Sequence, residues 1–357
     1  DNRYMTRVNP EYMGSLARSL VQRGVALVGG CCEVHPKHIR EMHNFLHGYT
    51  AGKVVVEADS GEALEPTGDP EKSGNGPFSR KLKSGEFVVS VEILPSRGTA
   101  PHVLQGKVDF VQKLTESGLA DAVDLTDGSR GIPLMPPGDF IGVVRNALGW
   151  DDRTGDKLEF IPHFTARDIA LMGLQARLIG LHARRIRNVL FITGDPPKMG
   201  PTYPASSAVF DVDSVQLIRY THRFLNAGVD FGGRPLGRKC DPRTHFTVGS
   251  GFEPEALDLE RELEKLRRKI DAGADYVMTQ PVFRDGPLEA LAPFRDKSPI
   301  LAGVMILTSL DHAERVSQVP GVIMPESVIE RLAALPRVED QAKLGVEIAV
   351  ELLRKTR

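Results

Sequence analysis

The feature that most constrains the fold is a series of apolar, β-branched segments in the chain. The segments occur at 87–94, 122–127, 158–165, 188–195, 245–251, 275–282 and 300–307. Helical stretches separate them, and a repeated strand-helix-strand order predicts parallel strands that are covered by helices. Seven such units over this length favour a (β/α)₈ TIM barrel over an open doubly wound sheet.

The clearest of these helices lies at 254–273, "PEALDLERELEKLRRKIDAG". Leu259, Leu263, Leu266 and Ile270 form one apolar stripe, and charged residues cover the other faces. This pattern is typical of a helix that packs one face on a sheet.

The strand count is one short of a complete barrel. The sequence ends on the helical stretch "KLGVEIAVELLRKTR", and the next element in the repeat would be the eighth, barrel-closing strand. We therefore expect a TIM barrel that lacks its eighth strand, in a chain cut at both ends. Two alternatives are that seven strands suffice or that one strand escapes the pattern.

The chain divides into a short piece, a linker and a long piece, at residues 1–50, 51–85 and 86–357. The short piece has two helical segments around the strand-like "VALVGG", which predicts a β/α remnant too small to bury a core alone. The linker mixes Gly, Pro, Ser and charged residues without periodicity.

Charge and composition exclude several classes of function. A net charge of −2 over 357 residues offers no basic face for nucleic acid. No apolar run reaches the roughly 18 to 20 residues that span a bilayer, and no signal pattern opens the chain. Three cysteines make no disulfide framework, which fits a reducing compartment. We expect a cytoplasmic protein without nucleic-acid or membrane partners; a homo-oligomer stays open.

Polar residues follow the predicted strands at their carboxyl ends, where TIM barrels carry their chemistry. They are Glu92, Thr126 with Asp127, His163 with Thr165, Thr193 with Asp195, Ser250 and Gln280. Apolar side chains normally fill a barrel interior, so this polar set predicts a ligand site. No G-x-G-x-x-G, Walker loop or H-E-x-x-H occurs, so neither a Rossmann nor a P-loop nucleotide site is expected.

Glu92 lies among apolar residues in "VVSVEILP", which predicts a raised pKa and a general acid; the alternative is a structural ion pair with Arg97. His163 could contact a cofactor or be a structural histidine. Asp195 could face a ligand or form a turn before proline. Gln280 suits a heterocycle edge, although a buried structural glutamine would have the same pattern.

Several segments of the long piece resemble methylenetetrahydrofolate reductase. "VEILPSRG", "PHFTARD", "FITGDPP", "VFDVDSV" and "RRKIDAGADYVMTQPVF" follow that family's order and spacing. The resemblance runs from about residue 86 to the end. It implies flavin-dependent reduction of 5,10-methylenetetrahydrofolate to 5-methyltetrahydrofolate, with FAD as cofactor and NAD(P)H as reductant, in one-carbon and methionine metabolism.

The same resemblance assigns roles to residues of this chain. Glu92 matches the general acid, and Asp195 matches a carboxylate near the flavin and the pterin. Gln280 matches a folate-binding glutamine. The resemblance places the flavin contacts at Thr126, His163, Thr165, Gly194, Asp195 and Lys269.

The short piece, with "GVALVGGCCEVHPKHI", resembles the last strand and helix of the homocysteine S-methyltransferase barrel. In that family the paired cysteines supply two of three zinc thiolates, which implies an incomplete zinc half-site at Cys31 and Cys32. Zinc is thus expected only in the parent methyltransferase domain. A non-catalytic folate-binding barrel and part of a zinc-dependent homocysteine S-methyltransferase remain the alternative functions.

Overall fold

The structure is a computed structural model that describes residues 9–22, 27–30, 34–47, 71–150, 156–196, 200–206, 209–237, 241–319 and 321–356. The chain separates into two compact units, Asp1–Ser60 and Gly61–Arg357. Among the described helices, no apolar span reaches the length that a bilayer crossing requires.

The first unit is a pair of helices, α1 (Pro10–Gln22) and α2 (Pro36–His47). A Cβ on Gly14 would lie 2.6 Å from the Phe45 ring, so the glycine permits this close approach. The sequence predicted a strand at 25–30, but its described part, 27–30, is not a strand. The described part of the first unit contains no other strand with which it could form hydrogen bonds.

The second unit contains one parallel sheet of seven strands in the order β1 to β7. The strands are β1 (Ser90–Ile93), β2 (Ala122–Leu125), β3 (Glu159–Thr165), β4 (Asn188–Ile192), β5 (Thr247–Phe252), β6 (Tyr276–Pro281) and β7 (Ile300–Gly303). All seven predicted strands are confirmed. Within the described residues β1 and β7 do not pair, so the sheet is a TIM-type barrel without its eighth strand.

Helices alternate with these strands along the chain. They are α3 (Pro77–Ser84), α4 (Pro101–Ser117), α5 (Pro137–Leu148), α6 (Leu171–Ala183), α7 (Ser214–Arg223), α8 (Leu259–Asp271), α9 (Gly286–Glu289), α10 (Leu310–Ser317), α11 (Glu326–Ala333) and α12 (Val338–Thr356). On α8, the predicted stripe packs against Phe252 and Val277 of the sheet, with Leu266 fully buried. The side chain of Asp258 accepts a hydrogen bond from the Arg261 amide and caps this helix.

The end of the barrel at which the strands begin is covered by α3, and we call it the closed end. Phe78 and Leu82 of α3 are buried against Ile161, Leu190 and Tyr276. Residues 77–84 were predicted to belong to the linker, and here the structure differs. Proline at the first position and left-handed Gly85 at the end delimit a helix too short to show clear apolar periodicity in the sequence. Residues 51–70 of the predicted linker lie outside the described residues.

Candidate active site

A cavity of about 2530 Å³ runs through the barrel, and its lining includes residues at the carboxyl ends of the strands, which we call the mouth. The predicted site residues that line it are Glu92, Thr126, Asp127, His163, Thr165, Thr193, Gly194, Asp195, Lys269 and Gln280. Ser250, also predicted from the sequence, has a structural role instead, because its buried hydroxyl donates a hydrogen bond to the backbone oxygen of Phe191.

Three of the side chains at the mouth converge on one point. Glu92 on β1 and Asp124 on β2 are partners in the strand register, and His163 projects from β3. One ligand atom from each residue lies within 4.8 Å of the others. The His163 Nε2 is 3.3 Å from Asp124 Oδ2, which is an ion-pair contact, and Nε2 has no well-formed hydrogen bond among the described residues.

The surroundings of the two carboxylates shift their pKa values in opposite directions. Burial raises the pKa of Glu92, and the attraction of His163 does not cancel that effect. Glu92 is open to the cavity, but the barrel wall surrounds it on its other sides. Burial would also raise the pKa of Asp124, yet His163 and the Ser90 hydroxyl, 2.5 Å from Oδ1, lower it overall. Glu92 therefore retains a proton more readily than Asp124 does.

His163 itself is buried among acids. Burial would lower its pKa, but Asp124, Glu92 and Asp127 outweigh this effect and raise the pKa overall. The imidazole is thus able to carry a positive charge between Asp124 and Glu92.

A second group of residues joins the ends of β2, β3 and β4. The backbone amide and hydroxyl of Thr165 donate to Asp127 Oδ2 at 3.1 and 3.0 Å. Asp195 Oδ2 accepts from the Arg130 amide at 2.5 Å, which fixes the carboxylate of Asp195 at the mouth. Gly194 has a φ of +96°, and a Cβ there would lie 2.9 Å from the Arg167 Cβ, so only glycine fits.

Thr126, Lys269 and Gln280 approach the cavity from three different elements. The Thr126 hydroxyl is buried without a hydrogen-bond partner among the described residues. Lys269 on α8 donates to the Gly251 carbonyl, and burial lowers its pKa to about 8. Gln280, near the end of β6, is exposed to the cavity.

The sequence analysis missed Asp124 as a site residue. It precedes Thr126 by two positions in "AVDLTD", and side chains two apart on a strand share one face. An acid on the inward face of an otherwise apolar strand is the signal that could have identified it. Cys31 and Cys32 lie outside the described residues, so the zinc half-site stays a prediction.

Two family models match parts of this chain. The family model described as methylenetetrahydrofolate reductase matches residues 78–357. The chain belongs to the methylenetetrahydrofolate reductase family. A second model, homocysteine S-methyltransferase, matches residues 2–46, in the first unit.

Individual relatives are distant. Methylenetetrahydrofolate reductase 2 of Saccharomyces cerevisiae is 23% identical over 264 residues, covering 71% of this chain and 40% of that protein. Methylenetetrahydrofolate reductase 2 of Schizosaccharomyces pombe is 29% identical over 48% of this chain and 27% of its own length. The 5,10-methylenetetrahydrofolate reductase of Salmonella typhimurium is 25% identical over 76% of this chain and 82% of its own. The chain thus spans two fifths or less of these yeast relatives.

Proposed function

We propose that the barrel reduces 5,10-methylenetetrahydrofolate to 5-methyltetrahydrofolate, with NAD(P)H as reductant and FAD as cofactor. The single observation that carries the proposal is Glu92: a carboxylate with a raised pKa that faces the cavity. No described residue forms a hydrogen bond with this carboxylate. A carboxylic acid whose pKa is raised by burial and that faces a cavity is suited to donate a proton to a ligand bound there. The family match supports the choice of substrate.

The mouth has features that fit a flavin. Thr126 Oγ1 and His163 Nε2 are buried polar atoms without a hydrogen-bond partner in the described part of the chain. Such atoms are usually satisfied, and a ligand with polar edges would satisfy both. We assign FAD contacts to Thr126, His163, Thr165, Gly194, Asp195 and Lys269, all of which line the cavity. When bound, FAD supplies a hydride carrier between NAD(P)H and the folate.

The side chains of this protein contribute proton transfer and electrostatics. Glu92 donates its proton to the folate nitrogen that leaves the bridging methylene carbon; the carbon–nitrogen bond breaks, and its electrons stay on that nitrogen. The carbon remains in a cationic iminium, which the negative charge of Asp195 stabilises. The Gln280 amide offers one donor group and one acceptor to the pterin edge.

The visible absorption spectrum of the purified protein tests this proposal. A flavin spectrum that bleaches when NADH or NADPH is added without oxygen, and returns when 5,10-methylenetetrahydrofolate follows, is the expected result. Comparing the two bleaching rates identifies the preferred nicotinamide. A colourless protein that takes up no added FAD would overturn the flavin assignment.

A further inference from the structure

Glu92 and Asp124 form an unusual pair for two neighbouring strands. They are register partners, and like charges placed opposite each other destabilise a sheet. Among the described residues, His163 joins them in the one group of His, Cys, Asp or Glu side chains close enough to share a metal ion. Carboxylate oxygens and an imidazole nitrogen are groups that bind divalent cations of the zinc type in proteins.

The geometry of the imidazole points in the same direction. His163 is 9% exposed, and its buried Nε2 has no hydrogen-bond partner although Asp124 Oδ2 is only 3.3 Å away. Around a tetrahedral zinc ion with N and O ligands at about 2.0–2.2 Å, neighbouring ligand atoms are about 3.3–3.6 Å apart. The distance of 3.3 Å between His163 Nε2 and Asp124 Oδ2 lies in that range.

The remaining atoms of the cluster also suit a cation. The Ser90 hydroxyl donates to Asp124 Oδ1, so Oδ2 remains directed toward His163, as expected when an outer residue orients a metal ligand. Glu92 is open to the cavity, so its side chain can rotate toward the other two, and an ion has a route of entry.

We propose that Glu92, Asp124 and His163 bind one divalent cation of the zinc type, with a fourth position open to the cavity. One nitrogen and two carboxylate oxygens are a ligand set that Zn²⁺ and Co²⁺ accept. One consequence rests on the proposed reductase function. An ion on the Glu92 carboxylate occupies the oxygen that has to carry the proton, so the cation inhibits the reduction of the folate.

Titration with Co²⁺, followed by its visible absorption, tests the site on the full chain. A background with Cys31→Ser and Cys32→Ser removes the thiolates that could bind the ion elsewhere. In that background we expect about one Co²⁺ per chain, and we expect Glu92→Gln and His163→Gln each to weaken binding by at least about tenfold. Glu159→Gln, which changes a carboxylate at the closed end, is the matched control and should bind as the background does.

The outcomes separate the two proposals, because the titration needs neither flavin nor substrate. Absence of Co²⁺ binding in the background, or equal binding in the Glu92 and Glu159 variants, would overturn the cation site and leave the reductase assignment standing. Glu92 lies open to the cavity, so its variant is expected to fold, and circular dichroism verifies this. Cation binding by a protein that takes up no flavin would support the site while the cofactor assignment fails.

Discussion

Glu92 at the mouth and Glu159 at the closed end are two carboxylates in similar surroundings with different partners. Burial raises the pKa of both, and that of Glu159 reaches about 7. Glu159 accepts hydrogen bonds from the Phe78 amide at 3.1 Å and from Asn188 Nδ2 at 2.6 Å. No described residue forms a hydrogen bond with the Glu92 carboxylate. Burial thus raises the pKa of a carboxylate with structural hydrogen bonds at one end and of a carboxylate that we propose as a proton donor at the other.

The hydrogen-bond partners, more than the pKa, distinguish the two roles. At the closed end, Ser79 of α3 donates to Asn188 Oδ1 at 2.5 Å, and Asn75, just before α3, donates to Thr247 Oγ1 at 2.9 Å. The polar groups of this segment and of the strands thus satisfy one another. At the mouth, Thr126 and His163 keep unsatisfied buried atoms. A perturbed pKa is stronger evidence of function where the neighbouring polar groups also lack partners.

The largest expected effect comes from Glu92→Gln. Because the amide cannot donate the proton, the folate half-reaction should slow by about 10² to 10⁴-fold, while bleaching by the nicotinamide continues. Rapid mixing of the reduced protein with the folate measures this rate. Glu159→Gln serves as the control and should react at the rate of the unmodified protein. Equal slowing in both variants would break the distinction between the two ends.

Phe78→Ala should have the largest effect on stability. Its side chain is fully buried and lies edge-on to Tyr276, with ring centroids 5.3 Å apart, so its loss leaves a cavity under the barrel. We expect the free energy of unfolding to fall by about 3–5 kcal/mol in urea denaturation. Phe87→Ala removes a side chain that is 66% exposed, so the free energy of unfolding should change by about 0.5 kcal/mol or less.

Glu159 should make stability depend on pH. Its folded pKa of about 7 lies above the ordinary 4.5, so the folded state binds the proton more tightly than the unfolded state does. Stability from this group is complete below pH 4.5, declines as the pH rises toward 7 and is lost above it. Between pH 5 and 8, the free energy of unfolding of the unmodified protein should fall by about 2 kcal/mol more than that of the Glu159→Gln variant. If urea denaturation gave the same change in free energy of unfolding with pH for the two proteins, this assignment would be contradicted.

Tyr276→Phe should have the smallest effect. The Tyr276 hydroxyl is fully buried and donates to the Val189 carbonyl at 2.9 Å, so the variant leaves that acceptor without this bond. We expect the free energy of unfolding to fall by about 1 kcal/mol, with unchanged activity. Thermal unfolding measures the effect, and Tyr203→Phe, which changes a side chain that is 60% exposed, is the control.

The strands and the location of the site could be predicted from the sequence because each depends on a local pattern. Apolar runs identify strands, and the residues after them lie at one end of a parallel sheet, which is how Glu92, His163 and Asp195 were found together. The closed end could not be predicted. Ser79 of α3 is buried, and its hydroxyl finds partners only because Asn188 and Thr247 approach it from more than a hundred positions away.

The separation of β1 from β7 has a consequence for the local dynamics of the sheet. Strands from β2 to β6 are held by hydrogen bonds on both sides, whereas β1 and β7 are each held on one side within the described residues. Backbone amides exchange with deuterium when their hydrogen bonds open, and opening costs less at an edge. Protection should therefore be greatest in β4 and decline toward both edges, so that β1, the strand that carries Glu92, is among the first to open.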